Sequence, residues 1–210
     1  VTPTNVTGCN GYTNGRIDIT NPSGGRGGPY RWSVNGGPFL AQTSYLNLPA
    51  GNYTIQMQHD VPPFCTVNLN PIVITEPAAI SATLTVTNVT GCAGNNNGVI
   101  DITGTVGGSG TYDYTIDGTT WFPTGSFTNL TAGVYDVRVR DRNDLNCFVV
   151  LNGALNILEP QPLNATVTGV NVSICNGQTN GSITINNVTG GTPPYEFSID
   201  GGANWVMPRR

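Results

Sequence analysis

The segment Asn14-Gly-Arg-Ile-Asp-Ile19 decides the fold, because it returns as Asn97-Gly-Val-Ile-Asp-Ile102 and as Asn180-Gly-Ser-Ile-Thr-Ile185, 83 residues later each time. In each copy two isoleucines alternate with polar residues. A period of two residues is typical of a half-buried β-strand. We therefore expect the 210 residues to form tandem copies of one β-rich module.

Other short segments repeat in the same order and with nearly the same offset. They are Asn5-Val-Thr-Gly-Cys9 with Asn88-Val-Thr-Gly-Cys92 and Asn171-Val-Ser-Ile-Cys175; Pro29–Gly36 with Thr111–Gly118 and Pro194–Gly201; Leu48–Tyr53 with Leu130–Tyr135; and Ile74-Thr-Glu-Pro77 with Ile157-Leu-Glu-Pro160. The spacing predicts boundaries just after Pro77 and Pro160. Module 1 is residues 1–77, module 2 is 78–160 and module 3, which is incomplete, is 161–210.

Alternation of apolar and polar residues in every strand predicts two antiparallel sheets packed face to face. About seven short strands per module indicate an all-β fold of tandem immunoglobulin-like sandwiches, arranged end to end. Tyr53 and Tyr135 each follow a glycine turn at the start of a strand. This placement predicts a tyrosine corner, in which the phenol bonds back to the preceding loop.

Module 3 stops at Arg210, before the strand, the cysteine and the last strand that complete module 2. Half a sandwich would leave an apolar face and open strand edges exposed. We expect the natural chain to continue, and module 3 to be completed by following residues or by another chain.

Composition argues against two kinds of partner. The chain has no lysine, and its 12 acidic residues outnumber the 8 arginines for a net charge of -4. Phosphate binding needs clustered basic residues, so we expect no nucleic acid partner. The sequence also contains no long apolar run, so we expect no membrane insertion of this segment.

Five cysteines fall at positions 9, 65, 92, 147 and 175. The repeat predicts two bridges within modules, Cys9 with Cys65 and Cys92 with Cys147. Cys175 would then be unpaired through truncation of module 3. Such bridges place the protein outside a reducing cytosol. A metal site is the alternative, but the chain has no C-x-x-C motif and His59 is its only histidine.

Catalysis is not expected. His59 could in principle serve a Ser-His-Asp set, but no motif supports one, and module 2 carries Asp141 at the matching position. We interpret His59 as a surface residue at the end of a strand, and we expect no enzyme activity and no required cofactor.

Two weaker signals point to binding. Trp121 and Trp205 follow Asp-Gly turns, which favour tight hairpins. If exposed, either indole could stack on a sugar ring. Asp141 and Asp144 lie in an oxygen-rich loop before Cys147, where Ca²⁺ could bind. The alternative is a solvated turn.

The ordered set of anchors resembles the SprB repeat, which occurs in many copies in very large surface adhesins of gliding bacteria of the Bacteroidota. The residues that carry the resemblance are Cys92, Asn97, Gly98, Ile100, Ala132, Gly133, Tyr135, Cys147, Glu159 and Pro160 in module 2, and Gly190, Gly191, Pro194, Tyr195, Asp200 and Gly201 in module 3.

The resemblance implies an exported, filamentous cell-surface adhesin, secreted by the type IX system and involved in gliding motility. We expect this segment to be a structural or adhesive stalk. Its partners would be neighbouring repeats of the same chain, and an extracellular surface or glycan bound through other parts of the protein. The alternatives are an array of carbohydrate-binding modules and an accessory region of a secreted hydrolase.

Overall fold

The computed structural model describes residues 1–24 and 28–207. Within these ranges the chain forms strands and no helix, which confirms the all-β prediction. In chain order the strands are β1 (Thr2–Thr4), β2 (Gly15–Asp18), β3 (Tyr30–Val34), β4 (Ser44–Leu48), β5 (Gly51–Tyr53), β6 (Ile55–His59), β7 (Thr66–Asn68), β8 (Ile72–Ile74), β9 (Ser81–Thr87), β10 (Gly98–Val106), β11 (Tyr112–Thr115), β12 (Ser126–Leu130), β13 (Gly133–Asp141), β14 (Phe148–Ile157), β15 (Asn164–Val170) and β16 (Ser182–Thr189).

Modules 1 and 2 share one strand order. In module 1, β2 lies between β1 and β4, and β6 lies between β3 and β7, while β5 pairs with β8. In module 2, β10 lies between β9 and β12, and β13 lies between β11 and β14. The sequence repeat is thus also a repeat of topology. The immunoglobulin-like, end-to-end arrangement stays a prediction.

The two copies also share their register. The ladders of β2 with β4 and of β10 with β12 are antiparallel. Each ladder shifts register at the same place, between Gly15 and Ile17 in module 1 and between Gly98 and Ile100 in module 2. A shared irregularity indicates that the same side chains set the pairing in both copies.

The apolar residues of the alternating segments form the core. In β2, Ile17 is fully buried while Arg16 is exposed, as the two-residue period predicts. Ile100 takes the same place in β10. The buried hydrophobic side chains of module 1 are Val6, Ile17, Ile19, Trp32, Tyr53, Ile55 and Ile74. Those of module 2 include Val89, Ile100, Ile102, Val137, Val139, Cys147 and Ile157.

Module 3 contributes one two-stranded antiparallel sheet, β15 with β16. Its apolar side chains are largely uncovered: Ile183 is exposed, whereas the matching Ile17 and Ile100 are fully buried. Those more than half exposed are Leu163, Val167, Val170, Val172, Ile174, Ile183, Ile199, Trp205, Val206 and Met207.

By compactness the chain divides into two units. One consists of Val1–Leu84, Ile102–Gly125 and Asp136–Gly153, and the other consists of Thr85–Asp101, Ser126–Tyr135 and Ala154–Arg210. The boundaries after Pro77 and Pro160 stay a prediction, and "module" here denotes the repeat in the sequence.

Both predicted tyrosine corners are present. The Tyr53 hydroxyl donates to the Pro49 carbonyl at 2.8 Å, and the Tyr135 hydroxyl donates to the Thr131 carbonyl at 2.8 Å. Burial raises the pKa of Tyr53 above its ordinary value.

Gly107 and Gly190, the first glycines of matching Gly-Gly pairs in modules 2 and 3, permit a close backbone approach. Gly107 has φ +89°, and a Cβ built on it would lie 2.1 Å from the Ala79 carbonyl oxygen. Gly190 has φ +73°, and its Cβ would lie 2.0 Å from the Pro162 carbonyl oxygen. Only glycine combines this backbone conformation with this approach.

Candidate functional site: the cysteine loops

Each module has a loop around its first cysteine, which we call the cysteine loop: residues 5–14, 88–97 and 171–180. In all three copies an asparagine side chain at the end of the loop accepts a hydrogen bond from a backbone N–H near its start. The N to Oδ1 distances are 3.0 Å for Thr7 and Asn14, 2.9 Å for Thr90 and Asn97, and 3.1 Å for Ser173 and Asn180.

The Glu-Pro segment at the end of each complete module holds the same loop from the other side. The Glu76 carboxylate accepts a hydrogen bond from the Gly11 N–H at 2.6 Å. Glu159 does the same for the Gly94 N–H, also at 2.6 Å. These bonds give a physical reason why the cysteine loop and the Glu-Pro segment recur together.

The loop of module 1 carries a disulfide to module 2. Cys9 is bonded to Cys147, with 5.2 Å between the Cα atoms. Cys65, Cys92 and Cys175 are free and exposed. The structure therefore corrects the predicted bridges of Cys9 with Cys65 and of Cys92 with Cys147. Cys175 is free, as predicted.

Around Cys147, the neighbouring turn is organised by a buried carboxylate. Asp141 is 1 % exposed. Its carboxylate accepts hydrogen bonds from the Ser109 hydroxyl at 2.6 Å, the Ser109 N–H at 2.5 Å and the Asn143 N–H at 2.8 Å. Burial alone would raise the pKa of Asp141, but these bonds favour the ionised form and lower it below its ordinary value.

Asp144 faces the cysteine loop of module 1. A Cβ built on Gly8 would lie 2.7 Å from the Asp144 carboxylate, so this loop approaches the aspartate closely. Burial, followed by a hydrogen bond with Asp144, raises the pKa of the Tyr12 phenol. Gly8 has φ +86°, a conformation that favours glycine.

The two predicted Ca²⁺ ligands thus have other bonding partners. Asp141 is occupied by Ser109 and Asn143, and Asp144 Oδ1 accepts from the Asn146 N–H at 3.2 Å. Over residues 1–24 and 28–207, no three His, Cys, Asp or Glu side chains are grouped to hold a metal ion. Ca²⁺ binding stays a prediction.

His59 lies at the end of β6, as predicted. Its ring meets the Tyr30 ring edge-on at 6.0 Å between centroids, and its Nδ1 lies 3.3 Å from the Val61 carbonyl oxygen. It borders an apolar cavity of about 290 Å³ that also reaches Cys65 and Pro62.

The two candidate tryptophans differ in access. The Arg140 guanidinium lies 4.3 Å from the centre of the half-buried Trp121 ring, and it covers one face of that indole. Trp205 is 60 % exposed and borders an open cavity of about 900 Å³. Tyr195 and Phe197 of module 3 line this cavity, and so do Gly91 and Cys92 of module 2. Trp205 is therefore the more accessible of the two.

The Asp-Gly segments before these tryptophans lie in loops that an antiparallel bridge closes, Tyr114 with Phe122 in module 2 and Phe197 with Val206 in module 3. Asp117 accepts hydrogen bonds from the Thr119 and Thr120 N–H groups at 2.7 and 2.6 Å, and these bonds lower its pKa. Hydrogen bonds from Asn204 lower the pKa of Asp200 to about 2.

Comparison with known protein families identifies the repeat within module 3. Residues 166–204 match the family model of the SprB repeat. The resemblance to the SprB-repeat family is confirmed over these residues of module 3. No curated protein matches the chain, and no solved structure matches it.

The SprB match includes strand β16 and the loop around Asp200. The short sequence segments within it recur in modules 1 and 2. The described residues include no helix long and apolar enough to cross a membrane.

Sequence reasoning missed the roles of Glu76 and Asp141. A signal for Glu76 was present, because Ile-x-Glu-Pro recurs in step with the cysteine loop. A residue that recurs at a fixed sequence distance from a loop in each module is a candidate for a hydrogen bond to that loop. Asp141 offered no such signal, since His59 takes its place in module 1.

Proposed function

We propose that this chain is a structural segment of a cell-surface adhesin, a stalk of SprB-type modules without enzyme activity. The observation that carries the proposal is the Cys9–Cys147 bond, which joins the cysteine loop of module 1 to the turn before β14 in module 2. A covalent link between successive modules suits a segment that must transmit load. The SprB match supports a surface adhesin, and a disulfide is compatible with an extracellular location.

Gliding motility and secretion by the type IX system belong to the same proposal, since both come from the family resemblance. We also propose that the segment acts without a required cofactor. Its own partners in this account are neighbouring modules, and the adhesive ligand binds elsewhere in the protein.

Small-angle X-ray scattering of the oxidised full chain tests the stalk. We expect scattering typical of an elongated particle, and a rise in flexibility after reduction with dithiothreitol, because reduction releases the link between Cys9 and Cys147. The Cys92→Ser variant is the control, since Cys92 is unbonded, and it should scatter as the parent chain does. A compact globular particle would contradict the proposal.

A second candidate function is glycan binding at Trp205, which the exposed indole over an open cavity favours. Exposed aromatic faces stack on sugar rings. A glycan array probed with the full chain tests it. Trp205→Ala should abolish any binding, whereas Trp121→Ala should leave it intact, because Arg140 already covers one face of Trp121. Binding that survives Trp205→Ala would refute this site.

A further inference from the structure

Cys65 in module 1 is the structural equivalent of Cys147 in module 2. In module 2 the Asp141 N–H donates to the Cys147 carbonyl at 2.8 Å, and in module 1 the His59 N–H donates to the Cys65 carbonyl at 3.1 Å. Asp141 pairs with Tyr112 in its sheet, and His59 pairs with the matching Tyr30. The two cysteines therefore occupy the same place in the fold.

On module 2 this place is covered by a cysteine loop. The Gly8 backbone of module 1 closely approaches the Asp144 carboxylate, and the adjacent Cys9 is bonded to Cys147.

On module 1, no cysteine loop covers the same place among the described residues. The cavity of about 290 Å³ beside Cys65 is lined largely by apolar groups, among them Val61, Pro62 and Val67, and the Cys65 thiol is exposed. Gly24 borders it, and its carbonyl accepts from the Tyr30 hydroxyl at 2.7 Å. In module 2 the Gly107 carbonyl accepts from the Tyr112 hydroxyl in the same way, at 2.6 Å.

The cysteine loop of module 3 has the complementary surface. Ile174 stands where modules 1 and 2 have Gly8 and Gly91, and its side chain is 92 % exposed. Its φ is +83°, which is unfavourable for a β-branched residue. Val172 beside it is 52 % exposed, and Cys175 is free. The apolar tip of the Cys175 loop fits the apolar cavity beside Cys65. In module 1 the same position is Gly8, which leaves room for the close approach of the Asp144 carboxylate.

We propose that the Cys65 cavity binds the cysteine loop of another module of this repeat, and that the Cys175 loop of a second copy of this chain is such a partner. Cys65 and Cys175 then form a disulfide that corresponds to the bond between Cys9 and Cys147. The two thiols lose two protons and two electrons, which reduce one disulfide of an oxidant such as oxidised glutathione to two thiols.

This contact joins two different surfaces, so it is heterologous. One copy offers its Cys65 cavity to one neighbour and its Cys175 loop to another, and such contacts produce open chains rather than closed pairs. The inference goes beyond the adhesin proposal and does not depend on it, because it rests on the equivalence of two surfaces.

Mixed oxidation of two variants of the full chain tests the contact. Both carry Cys92→Ser, so that the thiols left free are Cys65 and Cys175. One variant also carries Cys65→Ser and the other Cys175→Ser. All of these thiols are exposed, so the substitutions leave the core intact. Each variant is incubated alone, and then with the other, in a buffer of reduced and oxidised glutathione.

We expect each variant alone to stay monomeric on a non-reducing gel, and the mixture to give a dimer and no longer species. The Cys92→Ser chain with both thiols should give a ladder of dimers, trimers and longer chains. Docking raises the effective concentration of the thiol pair, so the mixed dimer should exceed the dimer of either variant alone by about tenfold or more.

Specificity for the cavity is tested by Ile174→Asp in the Cys65→Ser partner. A charged tip no longer matches the apolar cavity, so the mixed dimer should fall about tenfold, a change of about 1.4 kcal/mol. Dimers of a single variant that equal the mixed dimer, or a mixed dimer unaffected by Ile174→Asp, would overturn the proposal. So would the absence of any Cys65–Cys175 link.

Discussion

Cys9 is bonded to Cys147, which lies 138 residues further along the chain, and not to Cys65 in its own module. The bond joins the first cysteine loop of one module to the turn that precedes the last long strand of the next. Within module 1, the Glu76 carboxylate holds the same loop by accepting a hydrogen bond from the Gly11 N–H. The following predictions test what these contacts do.

Loss of the disulfide should destabilise the chain. Cys9→Ala removes the bond, and the loss of a native disulfide typically costs about 2 to 5 kcal/mol of unfolding free energy. Urea denaturation measures it. Cys65→Ala is the matched control and should change the stability by less than about 0.5 kcal/mol, since surface substitutions have small effects. An equal loss in both variants would contradict the pairing.

Reduction should lengthen the chain under force. While the disulfide is intact, the pulling force cannot extend the segment from Cys9 to Cys147, whose ends are separated by 138 positions in the sequence. At about 3.6 Å per residue, reduction should add about 500 Å to the fully stretched length in single-molecule pulling from the two termini. Bridges within modules 1 and 2 would together lock fewer residues and would add only about 400 Å.

The buried Asp141 should make stability sensitive to acid. Its folded-state pKa lies below the ordinary value of 3.8, so the ionised carboxylate stabilises the fold at neutral pH, and this stabilisation is lost as the pH falls below that value. Asp141→Asn should cost about 1 to 3 kcal/mol at pH 7, because it weakens the bonds from Ser109 and Asn143.

The cost of Asp141→Asn should shrink as the pH falls below 3.8 toward 2, because the Asp141 carboxyl then binds a proton in the unfolded parent chain more readily than in the folded one. Unfolding free energies of the parent and the variant, measured by urea denaturation from pH 7 to pH 2, check this. A difference that stays constant over the whole range would contradict the role of the charge.

Gly107→Ala and Gly110→Ala separate backbone strain from crowding. Both glycines have positive φ, +89° and +86°, so alanine pays a similar conformational cost at each, about 1 to 2 kcal/mol. A Cβ at Gly107 would also lie 2.1 Å from the Ala79 carbonyl oxygen, whereas nothing lies within 4 Å of one at Gly110. Thermal denaturation should therefore show a clearly larger loss for Gly107→Ala, and equal losses would contradict the close approach.

Much of the fold could be predicted because the pattern that encodes it is local. The alternation of Ile17 and Ile19 with polar residues predicts a strand and its buried face. The pair Asp117-Gly118 predicts a turn from its own two residues. Tyr53 and Tyr135 could be placed because their acceptors, Pro49 and Thr131, lie four residues away.

The cysteine pairing could not be predicted, for a reason that lies in the repeat itself. Both cysteine positions recur with the repeat of about 83 residues. The spacing of the cysteines in the sequence is therefore compatible with a bond within a module and with a bond to the next module. Only the three-dimensional position of the cysteine loop separates the two. The burial of Asp141 could not be predicted either, because Ser109, which donates hydrogen bonds to it, lies 32 residues away in the sequence.

Non-reducing peptide mapping tests the central claim most directly. The dilute full chain is alkylated at its free thiols and digested with trypsin and chymotrypsin, which cut between every pair of its cysteines. We expect the Cys9 peptide to be linked to the Cys147 peptide, with Cys65, Cys92 and Cys175 alkylated. A link of Cys9 to Cys65, or of Cys92 to Cys147, would contradict a covalent bond between successive modules.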